Sequence, residues 1–150
     1  MNLFWAPGLV AHFDAATDPG EAIRMVGRLL VAAGAVTPEH VEAMVVREAE
    51  HPTGLPAAVP FALAHTDAPG ALRAAAALGV FDQPVPFHRM DDPGQVLPVR
   101  LVAVLSLPER DRQAETLGGL IRTLADGSLA ARLLELSPVR ARRLLATRAA

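Results

Sequence analysis

The chain has 150 residues, of which 51% are hydrophobic and 20% charged, enough apolar material for one folded domain. Its net charge of −2 gives no basic footprint and excludes nucleic acid as the expected partner. There is no cysteine, so disulfides and thiolate chemistry are ruled out, and all 14 basic residues are arginine.

The longest stretch without Asp, Glu or Arg, residues 51–66, carries three prolines and is too short for a membrane span. The opening "MNLFWAPGLVAHFD" lacks a positively charged start, so no signal peptide is expected and the protein reads as cytoplasmic. "GLVAHFDAAT" reads as a short strand and its exit. Asp18-Pro19-Gly20-Glu21 supplies an N-cap, a proline for the first helical turn and an acid three residues after the cap. Ile23, Val26, Leu29, Leu30 and Ala33 recur at helical spacing until Gly34 stops the helix. Thr37-Pro38-Glu39 opens a second helix with Val41, Met44 and Val45 inward, and Pro52 forbids its continuation.

The loop "PTGLPAAV" leads into an apolar strand over residues 59–64. Residues 72–80 and 85–88 read as two strands separated by a turn at Phe81-Asp82-Gln83-Pro84. "LPVRLVAVLSLP" is almost continuously apolar, which suits a central strand covered on both faces. Helices follow over residues 109–125, then a short one capped by Ser128, then a basic terminal helix over 138–148 that starts at Ser137-Pro138. The expected fold is α/β: a single domain, core about 8–137, with a mixed central β-sheet flanked by helices.

Five histidines are present. His12, His40 and His51 read as strand surface, first helical turn and helix end; His88, in "VPFHRMDDPG", ends a strand. The apolar run 59–64 ends at His65, just before "TDAPG". A sheet can hold the base of such a ring rigid while aiming a nitrogen into a cleft; a polar residue leaving the core is the plainer reading. Arg47, Glu48 and Thr53 lie just before that strand. A nucleophilic imidazole beside an arginine fork suits a transient phosphoryl group, because guanidinium donors match phosphate oxygens. The Thr53 hydroxyl and backbone N–H groups of a Gly-containing loop would complete an anion cradle. The rival is a metal site built on His65-x-Asp67 or His88-x-x-Asp91. Neither spacing matches a closed signature, and Asp91-Asp92-Pro93-Gly94 reads as a turn. No metal or cofactor is expected.

"VVREAEHPTGLPAAVPFALAHTDAPG" resembles the active-site region of the fructose/mannitol-type enzyme IIA of the bacterial sugar phosphotransferase system. The pattern is an Arg-Glu pair, then Thr-Gly, then an apolar strand ending in histidine. The loop length, the "HTD" triplet and "FHRMDDPGQVLPVRLVAVLSL" are most similar to the galactitol-type branch. The likeness runs over about residues 11–137. It implies that His65 accepts phosphate, that Arg47 pairs with that phosphate's charge, and that Thr53 and Gly54 shape the adjoining loop. Ala64 stands where the family usually has proline. In "PERDRQAETL", Gln113 or Arg112 stands where many mannitol- and fructose-type members have a second histidine, and the galactitol-like branch also has glutamine. Gln113 could donate to the phosphate.

The resemblance further implies HPr as donor, a cysteine of enzyme IIB as acceptor, and the membrane enzyme IIC as an indirect partner. The reading is a phosphoryl carrier. Its alternatives are a regulatory phosphoprotein of the same fold and a binding module that has lost transfer.

Overall fold

The strand expected from Gly8 is seen as β1 (Val10–Phe13). The computed structural model describes residues 9–149, so Gly8 and all but the last residues, 9–14, of the segment read for a signal peptide lie outside the described residues. Two helices follow, α1 (Pro19–Ala32) and α2 (Pro38–Glu50), each with proline in its first turn. The Asp18 carboxylate accepts the Glu21 N–H at 2.8 Å, and the Thr37 hydroxyl accepts the His40 N–H at 3.2 Å. Each cap contributes about 1 kcal/mol by satisfying a helix donor that has no partner within the helix.

The remaining strands are β2 (Phe61–Ala64), β3 (Ala75–His88) and β4 (Val96–Ser106). They form one four-stranded sheet in the order β1-β3-β4-β2. β1 runs parallel to β3 and β2 parallel to β4, while β3 and β4 are antiparallel. The sheet is therefore mixed, as expected, and β2 lies at its edge.

Side chains alternate across the sheet and so build two cores. On one face Phe61, Leu63, Leu78, Leu101 and Leu105 meet α3 (Gln113–Ala125), α4 (Gly127–Glu135) and α5 (Pro138–Ala149). On the other, Ala62, Ala64, Ala75, Ala77, Val102 and Val104 meet Ile23, Val26, Leu30 and Met44 of α1 and α2. The alanines of β2 on this second face leave room for α2 to lie close to the strand that carries His65. Ala64 pairs in register with Val104, so the sheet supplies the stiffness that proline would give there.

Three local expectations are corrected. Residues 72–88 do not form two strands parted by a turn: β3 is one strand of 14 residues whose register against β4 shifts between Val80 and Val85. Pro84 has no N–H to give to the ladder, and the chain bulges around it. Arg100 Nε donates to the Phe81 carbonyl at 2.8 Å and Gln83 N–H to Asp14 at 2.9 Å, so the bulge remains strand-like. Residues 72–74 precede the strand, because Leu72 N–H donates to the Ala35 carbonyl instead.

The helix expected over 109–125 begins as a 3-10 turn, Arg110–Arg112, before α3. Finally, the cap of α4 is Asp126, not Ser128: its carboxylate accepts the N–H groups of Ser128 and Leu129 at 3.0 and 3.2 Å.

Candidate functional site

The site grows out of the free edge of β2. By strand alternation, Phe61 and Leu63 turn their backbone N–H and C=O groups away from β4. Phe61 exchanges its bonds with Leu55, at 2.8 and 3.3 Å. Leu63 is served differently: its N–H donates to Thr53 Oγ1 at 3.2 Å, and its carbonyl takes His65 Nδ1 at 2.7 Å. A carbonyl only accepts, so Nδ1 carries the proton and Nε2 holds the lone pair.

Burial lowers the His65 pKa below its ordinary value, and the nearby Arg47 charge lowers it further; the Leu63 bond and Asp67 oppose without reversing the shift. The ring is thus neutral at pH 7, with one tautomer fixed and Nε2 available as a nucleophile.

Arg47 sits in the last turn of α2. Together with His51, Thr66 and Asp67 it lines a cleft of about 410 Å³ between α2 and the turn that follows His65. Among the described residues no carboxylate lies within ion-pair distance of its guanidinium. The structure therefore brings Arg47 of α2 near His65 beyond β2, and leaves the cation free to meet an anion.

Thr53 and Gln113 are placed otherwise than as open phosphate donors. Thr53 is buried; its N–H and its hydroxyl both donate to the Glu48 carboxylate, each at 2.7 Å. Gly54 N–H donates to the His88 carbonyl at 3.0 Å. The anion cradle expected of this loop is thereby corrected: the donors are spent inside the protein, and Thr53 shapes the loop and holds the edge of β2. Gln113 opens α3, and its side-chain N–H donates to the Leu107 carbonyl at 3.1 Å, just beyond the end of β4.

His88 Nδ1 donates to the Pro93 carbonyl at 2.8 Å, and Asp91 is taken by Arg89 at 2.7 Å, so the pair proposed as metal ligands is engaged elsewhere. His88 lines a different cleft, with Glu48 and Asp18, of about 580 Å³.

His40 has the sequence position of an ordinary first-turn residue, yet it is fully buried and its Nδ1 donates to the Pro69 carbonyl at 3.0 Å. It fastens the loop after His65 to α2. Gly70, at φ +115°, packs directly on Thr37 and His40, where a Cβ would collide. The pairing spans 29 residues, and no local signal in the sequence could have given it.

Comparison with known proteins bears on this arrangement. A family model described as phosphoenolpyruvate-dependent sugar phosphotransferase system, EIIA 2, matches residues 7–140. The chain belongs to this family. The enzyme IIA fold is matched in solved structures over nearly the full length of both chains. The IIA component in a complex of Escherichia coli mannitol enzyme IIA with phosphorylated mannitol enzyme IIB is similar at 27% identity and a TM-score of 0.77, covering 95% of this chain and 96% of that one. Escherichia coli IIA mannitol is similar at 26% identity and a TM-score of 0.74, covering 97% and 98%. The nitrogen regulatory protein IIA-Ntr of Neisseria meningitidis shares the fold at 23% identity and a TM-score of 0.69, covering 91% of each chain. No curated protein matches the chain. As a type-2 enzyme IIA it takes the phosphoryl-carrier role of that family. Among the described residues no helix is long and apolar enough to cross a membrane.

Proposed function

We propose that the protein carries phosphate on His65 Nε2, accepting it from phospho-HPr and passing it to a cysteine of an enzyme IIB. The observation that carries this reading is the Nδ1–H···O=C bond to Leu63, which leaves Nε2 unprotonated beside an unpaired Arg47. In the accepting step the Nε2 lone pair forms a bond to phosphorus while the donor's nitrogen–phosphorus bond breaks and its nitrogen keeps the pair. In the passing step a cysteine thiolate attacks phosphorus, and the bond to Nε2 breaks in turn. Arg47 neutralises the charge on the equatorial oxygens, and positioning does most of the remaining work.

Thr53 acts from behind, by holding β2. Gln113 opens α3, and its fit to the galactitol-type pattern supports an acceptor of that branch, with the membrane enzyme IIC using the phosphate indirectly. The test is incubation with phosphoenolpyruvate, enzyme I and HPr, followed by purified enzyme IIB from the same gene cluster. Acid-labile label should appear on the wild type, be absent from His65→Ala, and move on to IIB. A protein that takes label but passes none to any IIB of its genome is a regulator, and the carrier reading is then lost.

A further inference from the structure

The chain of hydrogen bonds behind His65 does not stop at Thr53. Glu48 Oε1 and Oε2 accept the Thr53 hydroxyl and N–H, each at 2.7 Å; Thr53 Oγ1 accepts the Leu63 N–H; and the Leu63 carbonyl accepts His65 Nδ1–H. With its proton drawn toward Glu48, the Thr53 hydroxyl turns a lone pair toward Leu63. Glu48 is buried on α2, one residue after Arg47, so two consecutive residues of that helix act on the same imidazole, Arg47 by its charge and Glu48 through Thr53 and Leu63.

We propose that Glu48 is a positioning residue for transfer: in its carboxylate form it fixes, through Thr53 and the free edge of Leu63, the aim of His65. This rests on His65 being the phosphate carrier. A protonated Glu48 has one oxygen fewer to accept with. Its new O–H donates to Thr53 Oγ1, which then accepts from both Glu48 and the Leu63 N–H while its own proton loses the carboxylate that oriented it. The Thr53 hydroxyl is then no longer oriented by an acceptor, and the base of the imidazole is held less firmly.

This change falls in the physiological range. Burial pushes the Glu48 carboxyl up to about 7, against the opposing Thr53 bonds and the charge of His88. The charged and titratable groups around it are His88 at the end of β3, Asp18 and Arg24 on the α1 side, and Arg47 and Glu50 on its own helix. Asp18 is engaged in capping α1 and Arg24 is paired with Glu42 at 2.9 Å. The cleft of about 580 Å³ that Glu48 lines gives its proton a route to solvent.

The experiment is NMR on the full chain, following the Leu63 amide and the His65 ring nitrogens from about pH 5.5 to about 8.5. The wild type should show two inflections at His65: its own, below the ordinary histidine value, and a second near neutrality that Leu63 shares. Glu48→Gln should lose the second and keep the first. Thr53→Val should uncouple His65 from it, and Thr53→Ser should restore the coupling.

In the transfer assay Thr53→Val should slow phosphorylation roughly two- to tenfold, the effect of one hydrogen bond, and Thr53→Ser should not. A wild type with a single inflection at both residues overturns the proposal, as does a Thr53→Val protein with unchanged coupling. The wild-type titration needs no variant to fold and no phosphate to move. Its failure therefore leaves the carrier reading standing, and absence of label on His65 would sink the carrier reading separately.

Discussion

His65 and His88 both end strands, and each gives its Nδ1 proton to a backbone carbonyl, at 2.7 and 2.8 Å. Their tautomers are the same. Their surroundings differ: His65 is half-buried with a cation beside it, whereas His88 is exposed and stands near the Glu48 carboxylate. An imidazole that must receive a phosphoryl group needs a lone pair, partial exclusion of water and a positive charge for the incoming oxygens. His65 has all three, and His88 has only the first. A strand-end histidine is therefore made into a nucleophile by what packs against it, since the strand end is common to both.

The largest effect that can break this contrast is the label itself. His65→Gln should abolish phosphorylation by phospho-HPr, and His88→Gln should leave it within about twofold, within the range of a peripheral substitution. Equal labelling of both variants would show that the environment does not distinguish the two rings.

Arg47→Ala removes the feature that most separates them. A hydrogen bond to a charged group contributes about 1.5–3 kcal/mol, so transfer should fall roughly ten- to a hundredfold in rapid-quench assays. The same variant should raise the His65 pKa part of the way toward its ordinary value, because burial lowers it most and the Arg47 charge adds to that lowering. An NMR titration of His65 unmoved by Arg47→Ala would place that charge too far away to matter.

Stability against pH sharpens the contrast further, with opposite signs on the two sides of α2. The folded-state pKa of Glu48 is raised to about 7, so between its ordinary value of 4.5 in the unfolded chain and about 7 the folded state binds more protons than the unfolded one. Stability from this group falls as pH rises through that window, by about 3 kcal/mol at 1.36 kcal/mol per unit. Glu48→Gln should flatten that fall in urea unfolding curves. His65 has a lowered folded-state pKa, so its contribution is complete above the unfolded value of 6.5 and is lost as pH drops from there toward the folded value. His65→Gln should flatten the acid side only.

The smallest effect belongs to Gln113. Its side-chain N–H is spent on Leu107, so Gln113→Ala should lose one local hydrogen bond and slow transfer to enzyme IIB no more than about tenfold. A larger loss in the transfer assay would mean that the amide leaves Leu107 to meet the phosphate.

Much of the fold was legible because its signals are local. Asp18-Pro19 and Thr37-Pro38 start helices through their own side chains, Pro52 stops one, and the run from Val99 to Leu105 is, Arg100 apart, apolar because both its faces are covered. In sequence the bulge at 81–84 looks like a turn, because Arg100 and Asp14, which keep it in the sheet, lie elsewhere in the chain. The same divide runs through the site. His65 and Arg47 stood out in the sequence through residue type, spacing and resemblance. That Thr53 faces inward onto Glu48, that His40 holds Pro69, and that Gln113 turns to Leu107 were decided only by folding. A sequence determines which groups can donate, accept or ionise; which partner each one meets, and how much water remains around it, depends on the packing of distant segments.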